Sequence, residues 1–346
     1  MKIVELCDKD KAAWDDYVES SPSGLPQQLS GWRDILSDTY GYETSYLLAK
    51  EQEKTVGVLP LFIVNSRLVG CSVASMPGGL CADNAEIAQE LIAHAIQIAH
   101  QGKMKTLMIQ DTRQDWPINL QTTCQHEYRV VDTSKDAKEI WMKLHRETRR
   151  QIRIARKNDL TVDIDRSGTL VDEFHDILSR FVHKVGTPVF GKKFLEKVVE
   201  TFQNKFSIVV VYKEKQPLGA YFQLMKGDTV YGIWGGTLPA YQELRATYLA
   251  YWEILSDAAN HGYHFWDMGR NPVNANTSKF KSQWGGVAKP IYQQIAVNGG
   301  QRHEDSIVSR VHSDAKFQIF MRIWPKLPFP LVQFLGPLLR RHVPFA

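Results

Sequence analysis

The chain has 346 residues, 43% of them hydrophobic and 23% charged, a balance that suits two ordinary globular domains and excludes a disordered or fibrous chain. Its formal charge of +4 is too small to argue for nucleic acid, so the distribution of charge matters more than its sum. Four cysteines, Cys7, Cys71, Cys81 and Cys124, form no C-x-x-C pair and no metal-like spacing with histidine, which argues against a zinc or disulfide framework and for a reducing cytoplasm.

In chain order, Met1-Lys-Ile-Val-Glu-Leu6 lacks the apolar run of a signal peptide, so a cytoplasmic location is expected. Tyr46-Leu-Leu-Ala49 and Thr55-Val-Gly-Val-Leu-Pro-Leu-Phe-Ile-Val64 read as strands. Met76-Pro-Gly-Gly79 then precedes a helix ending at His100-Gln-Gly102 and a strand Thr106-Leu-Met-Ile-Gln-Asp111. The order repeats later: Ser207-Ile-Val-Val-Val-Tyr212, Pro217-Leu-Gly-Ala-Tyr-Phe222 and Trp234-Gly-Gly236 precede a helix ending at Asn260-His-Gly262 and a strand running into Asp267. Gly57 matches Gly219 and Gly102 matches Gly262, which predicts a duplication of two β-β-β-α-β units.

Between the repeats, the spacing predicts a single helix from Trp141 to Lys157. Trp141, Leu144, Thr148, Ile152 and Ala155 fall on one face, and Arg146, Arg149, Arg150, Arg153, Arg156 and Lys157 on the other. That basic face either attracts the phosphate of a nucleotide-activated substrate, a lipid-linked pyrophosphate, CoA or tRNA, or is simply solvated. No aromatics interleave with the cations, which argues against a dedicated DNA or RNA binder.

Chemistry concentrates at Asp267-Met-Gly-Arg270 and Lys279-Phe-Lys-Ser-Gln-Trp-Gly-Gly286, just after a buried strand. Acyl transfer to an amine needs a proton acceptor and a cation for a tetrahedral oxyanion. Asp267 offers the first and Lys281 the second, unless Asp267 is a structural partner of Arg270 or Lys279; Lys279 itself reads as a surface cation. Trp234 and Trp284 either wall an acyl pocket or pack in the core. Gly235 and Gly236 are expected at a strand-to-helix turn, as an anion site at a helix N-terminus or as a tight turn of positive φ. In Gly186-Thr-Pro-Val-Phe190, Thr187 aims a hydroxyl at a ligand or belongs to a rigid loop. Dispersed histidines without a nucleophile motif disfavour a covalent mechanism and favour direct attack in a ternary complex. Toward the end, Ile323 to Leu339 is apolar, broken by four prolines and followed by Arg340-Arg-His342, so it cannot span a bilayer but suits a membrane surface or a packed face.

Gly57-Val-Leu-Pro-Leu61, Trp141 with Arg149, Arg150 and Arg153, Gly186-Thr-Pro-Val-Phe190, Asp267-Met-Gly-Arg270, Phe280-Lys281 with Trp284-Gly285, and Leu327-Pro-Phe-Pro330 with Gly336-Pro337 carry a resemblance over nearly the whole chain. In these the chain resembles the FemAB-like proteins of the PEP-CTERM/exosortase-associated branch, with a BioF2-like acyltransferase domain. Asn271 stands where serine commonly follows the arginine, and Asn274-Ala-Asn276 replaces a more glycine-rich turn. The resemblance implies an α/β (α+β) fold of two tandem GNAT-like acyltransferase domains with mixed sheets flanked by helices. The expected boundaries are an N-terminal domain over 1–135, a basic helical linker over 136–166, a C-terminal domain over 167–300 and an apolar proline-rich extension over 301–346.

The motifs do not imply the substrate; the expected function is an N-acyltransferase acting on an amino sugar or related amine in exopolysaccharide or cell-envelope assembly. The alternatives are an aminoacyl-tRNA-dependent transferase on a peptidoglycan precursor and a non-catalytic GNAT-like module of polysaccharide machinery. Asp267 and Lys281 are the expected catalytic pair; Arg149, Arg153, Thr187, Trp234, Arg270, Lys279 and Trp284 are the expected substrate-binding set. The co-substrate is expected to be acyl-CoA or aminoacyl-tRNA, with no metal. Expected partners are a nucleotide- or lipid-linked sugar acceptor, the inner-membrane surface and tRNA, but no DNA.

Overall fold

The structure is a computed structural model that describes residues 1–66, 70–297, 320 and 322–342. Its chain divides into two compact units, one formed by Met1–Gln125, Ile291–Arg322 and Pro337–Ala346, the other by His126–Pro290 and Ile323–Gly336. Residues 301–319 of the expected C-terminal extension lie outside the described residues.

In chain order the first elements are β1 (Lys2–Glu5), α1 (Lys11–Ser20), α2 (Gly31–Tyr40), β2 (Glu43–Glu51), β3 (Lys54–Ser66), β4 (Gly70–Ser75), β5 (Cys81–Ala82), α3 (Ala85–Gln101) and β6 (Thr106–Thr112). Then come β7 (Gln121–Asp132), α4 (Ala137–Lys143), α5 (Arg146–Lys157), β8 (Leu160–Asp165), α6 (Val171–Lys184), α7 (Lys192–Thr201), β9 (Phe206–Lys213), β10 (Gln216–Lys226), β11 (Thr229–Thr237) and α8 (Ala246–Asn260). The last are β12 (Phe265–Asp267), β13 (Asn271–Pro272), α9 (Asn276–Ser282), β14 (Ala288–Val297) and a C-terminal helix, Phe329–Arg340.

Both units use the same strand order. In the first, β1-β2-β3-β4-β6 run side by side, antiparallel except for the parallel pair β4 and β6, and β14 lies antiparallel to β6. In the second, β8-β9-β10-β11-β12 repeat the pattern, with β11 and β12 parallel and β7 antiparallel to β12. This is a mixed α/β architecture in which sheets are flanked by helices. Chain order and membership differ at the sixth strand. β7 follows β6 in sequence yet completes the second unit, while β14 follows the second unit's elements and completes the first.

Local chemistry sets the elements. α3 starts where the Asn84 side chain accepts the Ile87 N–H, ends at Gly102, and turns Ile87, Leu91, Ile92, Ala95 and Ala99 inward at helical spacing. In the second unit, α8 buries Leu249, Ala250, Trp252, Ile254, Leu255 and Ala258 in a core with Trp266 and Trp284. Each such large apolar side chain contributes about 1.5–3 kcal/mol on burial.

The single helix expected from Trp141 to Lys157 is two helices. Leu144 is extended at ψ 143, and the His145 ring accepts the Glu147 N–H as the N-cap of α5. Gly235 and Gly236 are not at a helix N-terminus either; they lie inside β11, without positive φ. A Cβ on Gly235 would overlap the Tyr221 ring, and one on Gly236 would come within 2.6 Å of the Phe181 ring, so both glycines let rings pack flat on the strand. The positive φ before α8 belongs to Arg245, at 64°.

Candidate active site

β11 and β12 pair over only three positions, ending at Tyr231 opposite Asp267. Beyond that point the two parallel strands part, and Asp267 sits at the divergence, 3% exposed. The turn after it is fixed from several sides. The Gly269 N–H donates to Asp267 Oδ1 at 2.8 Å, and the Met268 N–H to the Arg129 carbonyl at 2.9 Å. Gly269 has φ 71, and a Cβ there would overlap the Gly232 carbonyl oxygen, so this position demands glycine on both counts.

Lys281, on α9, is only 6% exposed, and its Nζ donates to the carbonyls of Gly269 at 2.7 Å and Arg270 at 3.2 Å. The structure thus brings Asp267, Arg270 and Lys281 to one turn, with the ammonium bound to its backbone. From β7, Glu127 accepts hydrogen bonds from Ser278 Oγ and from Asn271 Nδ2, the latter at 3.3 Å. Arg129 donates from Nη1 to the Gly286 carbonyl at 3.1 Å. Glu127 and Arg129 are absent from the sequence-derived set. Their only signal is opposite charge at alternate positions of a strand, with nothing to indicate that β7 lies beside β12.

Trp284 is buried among Tyr248, Tyr251 and Phe280, with ring centroids 6.1, 5.5 and 6.1 Å away. Gln283 joins this group to two helices, because its side-chain oxygen accepts from the Tyr248 hydroxyl at 2.9 Å and its carbonyl accepts from Thr148 Oγ1 of α5 at 3.2 Å. Burial pushes the Tyr248 phenol above its ordinary value, against the opposing charge of Arg245 and the Gln283 hydrogen bond, so it stays a proton donor. Three donor atoms on residues that neighbour this group in the chain are buried and lack an acceptor among the described residues: Arg149 Nε, Arg245 Nε and Trp284 Nε1. Arg149 adjoins Thr148, Arg245 opens α8 one turn before Tyr248, and Trp284 follows Gln283.

Three other cations of α5 have partners. Arg150 pairs with Glu147 at 2.7 Å, the Arg153 and Arg156 guanidinium groups lie 5.5 and 5.8 Å from the Trp141 ring centroid, and Arg156 also reaches Glu253 at 3.3 Å. Lys279 is exposed. Trp234 is kept apart from Trp284: it packs with Phe190, Phe194 and Phe222 on the side of α6 and α7, whereas Trp284 packs on the α8 side. Thr187 accepts the Trp324 indole N–H with its carbonyl at 3.1 Å, so its loop docks the C-terminal segment. All four cysteines are free thiols.

Residues 142–282, which carry α5, the divergent strands and the Lys281 turn, match the acetyltransferase (GNAT) domain family. No curated protein matches the chain. Among solved structures, FemX is similar at a TM-score of 0.64 and 14% identity, covering 85% of this chain and 97% of that one. The C-terminal domain of a putative lysylphosphatidylglycerol synthetase from Agrobacterium fabrum has a TM-score of 0.57 at 11% identity, covering 89% and 95%. A tandem GNAT protein from the clavulanic acid biosynthesis pathway has 0.55 at 11% identity, covering 87% and 99%. The fold is that of FemX and the tandem GNAT proteins, and the chain carries an acyltransferase (GNAT) domain.

Proposed function

We propose that the second unit transfers an acyl or aminoacyl group from a phosphate-bearing donor to the amine of a nucleotide- or lipid-linked amino sugar, in exopolysaccharide or cell-envelope assembly of the PEP-CTERM-associated kind. One observation carries this reading: Arg149 Nε, Arg245 Nε and Trp284 Nε1 are buried without an acceptor among the described residues, on residues that adjoin the Thr148–Gln283–Tyr248 hydrogen bonds in the chain. A buried donor without a partner costs about 1–3 kcal/mol, and oxygen-rich phosphate and acyl groups would relieve that cost. In this reading the tandem domains remain the working units, with 136–166 contributing the basic helix.

The chemistry follows from the charges. The amine nitrogen attacks the carbonyl carbon of the donor ester or thioester, forming the C–N bond as the carbonyl electron pair moves to oxygen. Collapse breaks the bond to the leaving oxygen or sulfur, the amine proton is lost, and the leaving group takes up a proton. Lys281 supplies the fixed positive field at the turn for the oxyanion. Asp267 accepts the amine proton or orients the amine, and Tyr248, kept protonated by burial, can supply the leaving group's proton. Arg149, with Arg270, is assigned to the phosphates and Trp284 to the acyl group, while Arg153, also expected to bind phosphate, stands over the Trp141 ring. Purified protein given acetyl-CoA or aminoacyl-tRNA together with amino-sugar nucleotides tests the reading by mass spectrometry. A product heavier by one acyl or aminoacyl group supports it, and hydrolysis of the donor without amine modification counts against it.

A further inference from the structure

Up to Gly336, the C-terminal helix Phe329–Arg340 belongs to the second unit and packs on it along one side. Ahead of it, buried Trp324 donates to the Thr187 carbonyl, and its own carbonyl lies 3.0 Å from His183 Nε2. Val332 is fully buried, the Arg180 guanidinium stands 4.5 Å from the Phe329 ring centroid, and Gly336 lies against Val189 where a Cβ would overlap.

The other side is apolar and exposed. Leu331, Phe334 and Leu338 are 41%, 70% and 51% exposed, at the i, i+3, i+7 spacing that puts them on one face. From Ala315 to Ala346 the sequence has no Asp or Glu, yet it carries Lys316, Arg322, Lys326, Arg340 and Arg341. Arg322, Lys326 and Arg341 are exposed. An apolar ridge on a segment that carries cations and no carboxylate of its own matches an anionic lipid surface, in which apolar side chains enter the acyl boundary and cations meet headgroups. A second copy would bring the same positive field to the contact, and like charges would oppose it.

We infer that this helix docks the protein on an anionic membrane surface, lying in the interface. Among the described residues no helix is long and apolar enough to cross a membrane. The docking face lies outside the acyl-transfer residues and stands whether or not the acceptor is lipid-linked.

The test is co-sedimentation of the full chain with vesicles of phosphatidylcholine alone or with phosphatidylglycerol at about one third of the lipid, the anionic leaflet composition that attracts basic segments. The expected result is at least roughly tenfold stronger partitioning onto the anionic vesicles, weakening as salt rises. Leu331→Ser with Phe334→Ser should cut partitioning by at least about tenfold while melting as the parent does, since both side chains are exposed. Lys326→Ala should cost about fivefold at low salt and little at high salt. The inference is overturned if the parent protein does not prefer anionic vesicles, or if the double variant binds unchanged. It is overturned equally if the double variant converts a dimer to a monomer on a sizing column, because the face would then be a self-contact.

Discussion

A buried ammonium is tolerated only when its N–H groups find acceptors, and Lys281 finds two in the carbonyls of Gly269 and Arg270. The residue that supplies charge to the proposed reaction therefore also shapes the turn beside Asp267. Lys281→Met keeps most of the volume, removes the charge and strands both carbonyls, so it should lower stability by about 1–3 kcal/mol. Turnover should fall roughly 100-fold or more, the scale of losing an oxyanion stabiliser. Rate and melting temperature measured on the same preparation separate the two effects, and full activity would remove Lys281 from the mechanism. Gly269→Ala should destabilise by about 1–3 kcal/mol through its positive φ, with an added clash against Gly232; a melt unchanged from the parent would contradict the turn as described. Asp267 and Lys281 were visible in the sequence as charges after a strand. That Lys281 would bind backbone, and that Gly235 and Gly236 would serve ring packing within a strand, were not, because neither partner lies nearby in the chain.

At the scale of elements, α5 divides into occupied and unoccupied cations. Arg149→Ala should weaken binding of a phosphate-bearing donor by about 1.5–3 kcal/mol, the range for a hydrogen bond to a charged group. Arg150→Ala should not, since Arg150 already pairs with Glu147. Equal losses in a titration of the two variants would return the whole face to solvent. The amphipathic pattern that predicted this helix was real, but it ran through a break. Leu144 fits the apolar stripe, and nothing in its spacing signals that His145 caps a new helix.

The tyrosines packed around α8 give a pH dependence with a definite sign. Burial raises the phenols of Tyr221, Tyr248 and Tyr251 above their ordinary value. The unfolded chain ionises near its ordinary pKa of about 10 while the folded one holds its protons, so their contribution is complete below pH 10 and is lost as pH rises above it. The part of the tyrosinate absorbance that belongs to these three phenols should therefore appear only with unfolding in an alkaline titration. Ionisation of all thirteen tyrosines in a still-folded protein would contradict these burial assignments.

The repeated strand order of the whole molecule was legible, because the glycine-terminated helices and the strands after them recur at matched spacing. The exchange of sixth strands was not, since β7 and β14 show no local sign of which strand they will meet. That exchange predicts that neither unit is complete without chain from beyond its own repeat. A fragment ending at Lys289 lacks nearly all of β14, leaves the β6 edge unpaired and should lose cooperative unfolding of the first unit or aggregate. A fragment that melts in a single transition like the full chain would refute this account of the fold.

The most direct measurement of the central claim is transfer of label from radiolabelled acetyl-CoA or aminoacyl-tRNA to paired acceptors that differ only in their amine, a nucleotide-linked amino sugar and its N-acetylated form. The account predicts label on the free amine, none on the blocked one, and loss of transfer in Lys281→Met and Arg149→Ala. Label on neither acceptor from either donor, or equal label on both, would contradict it.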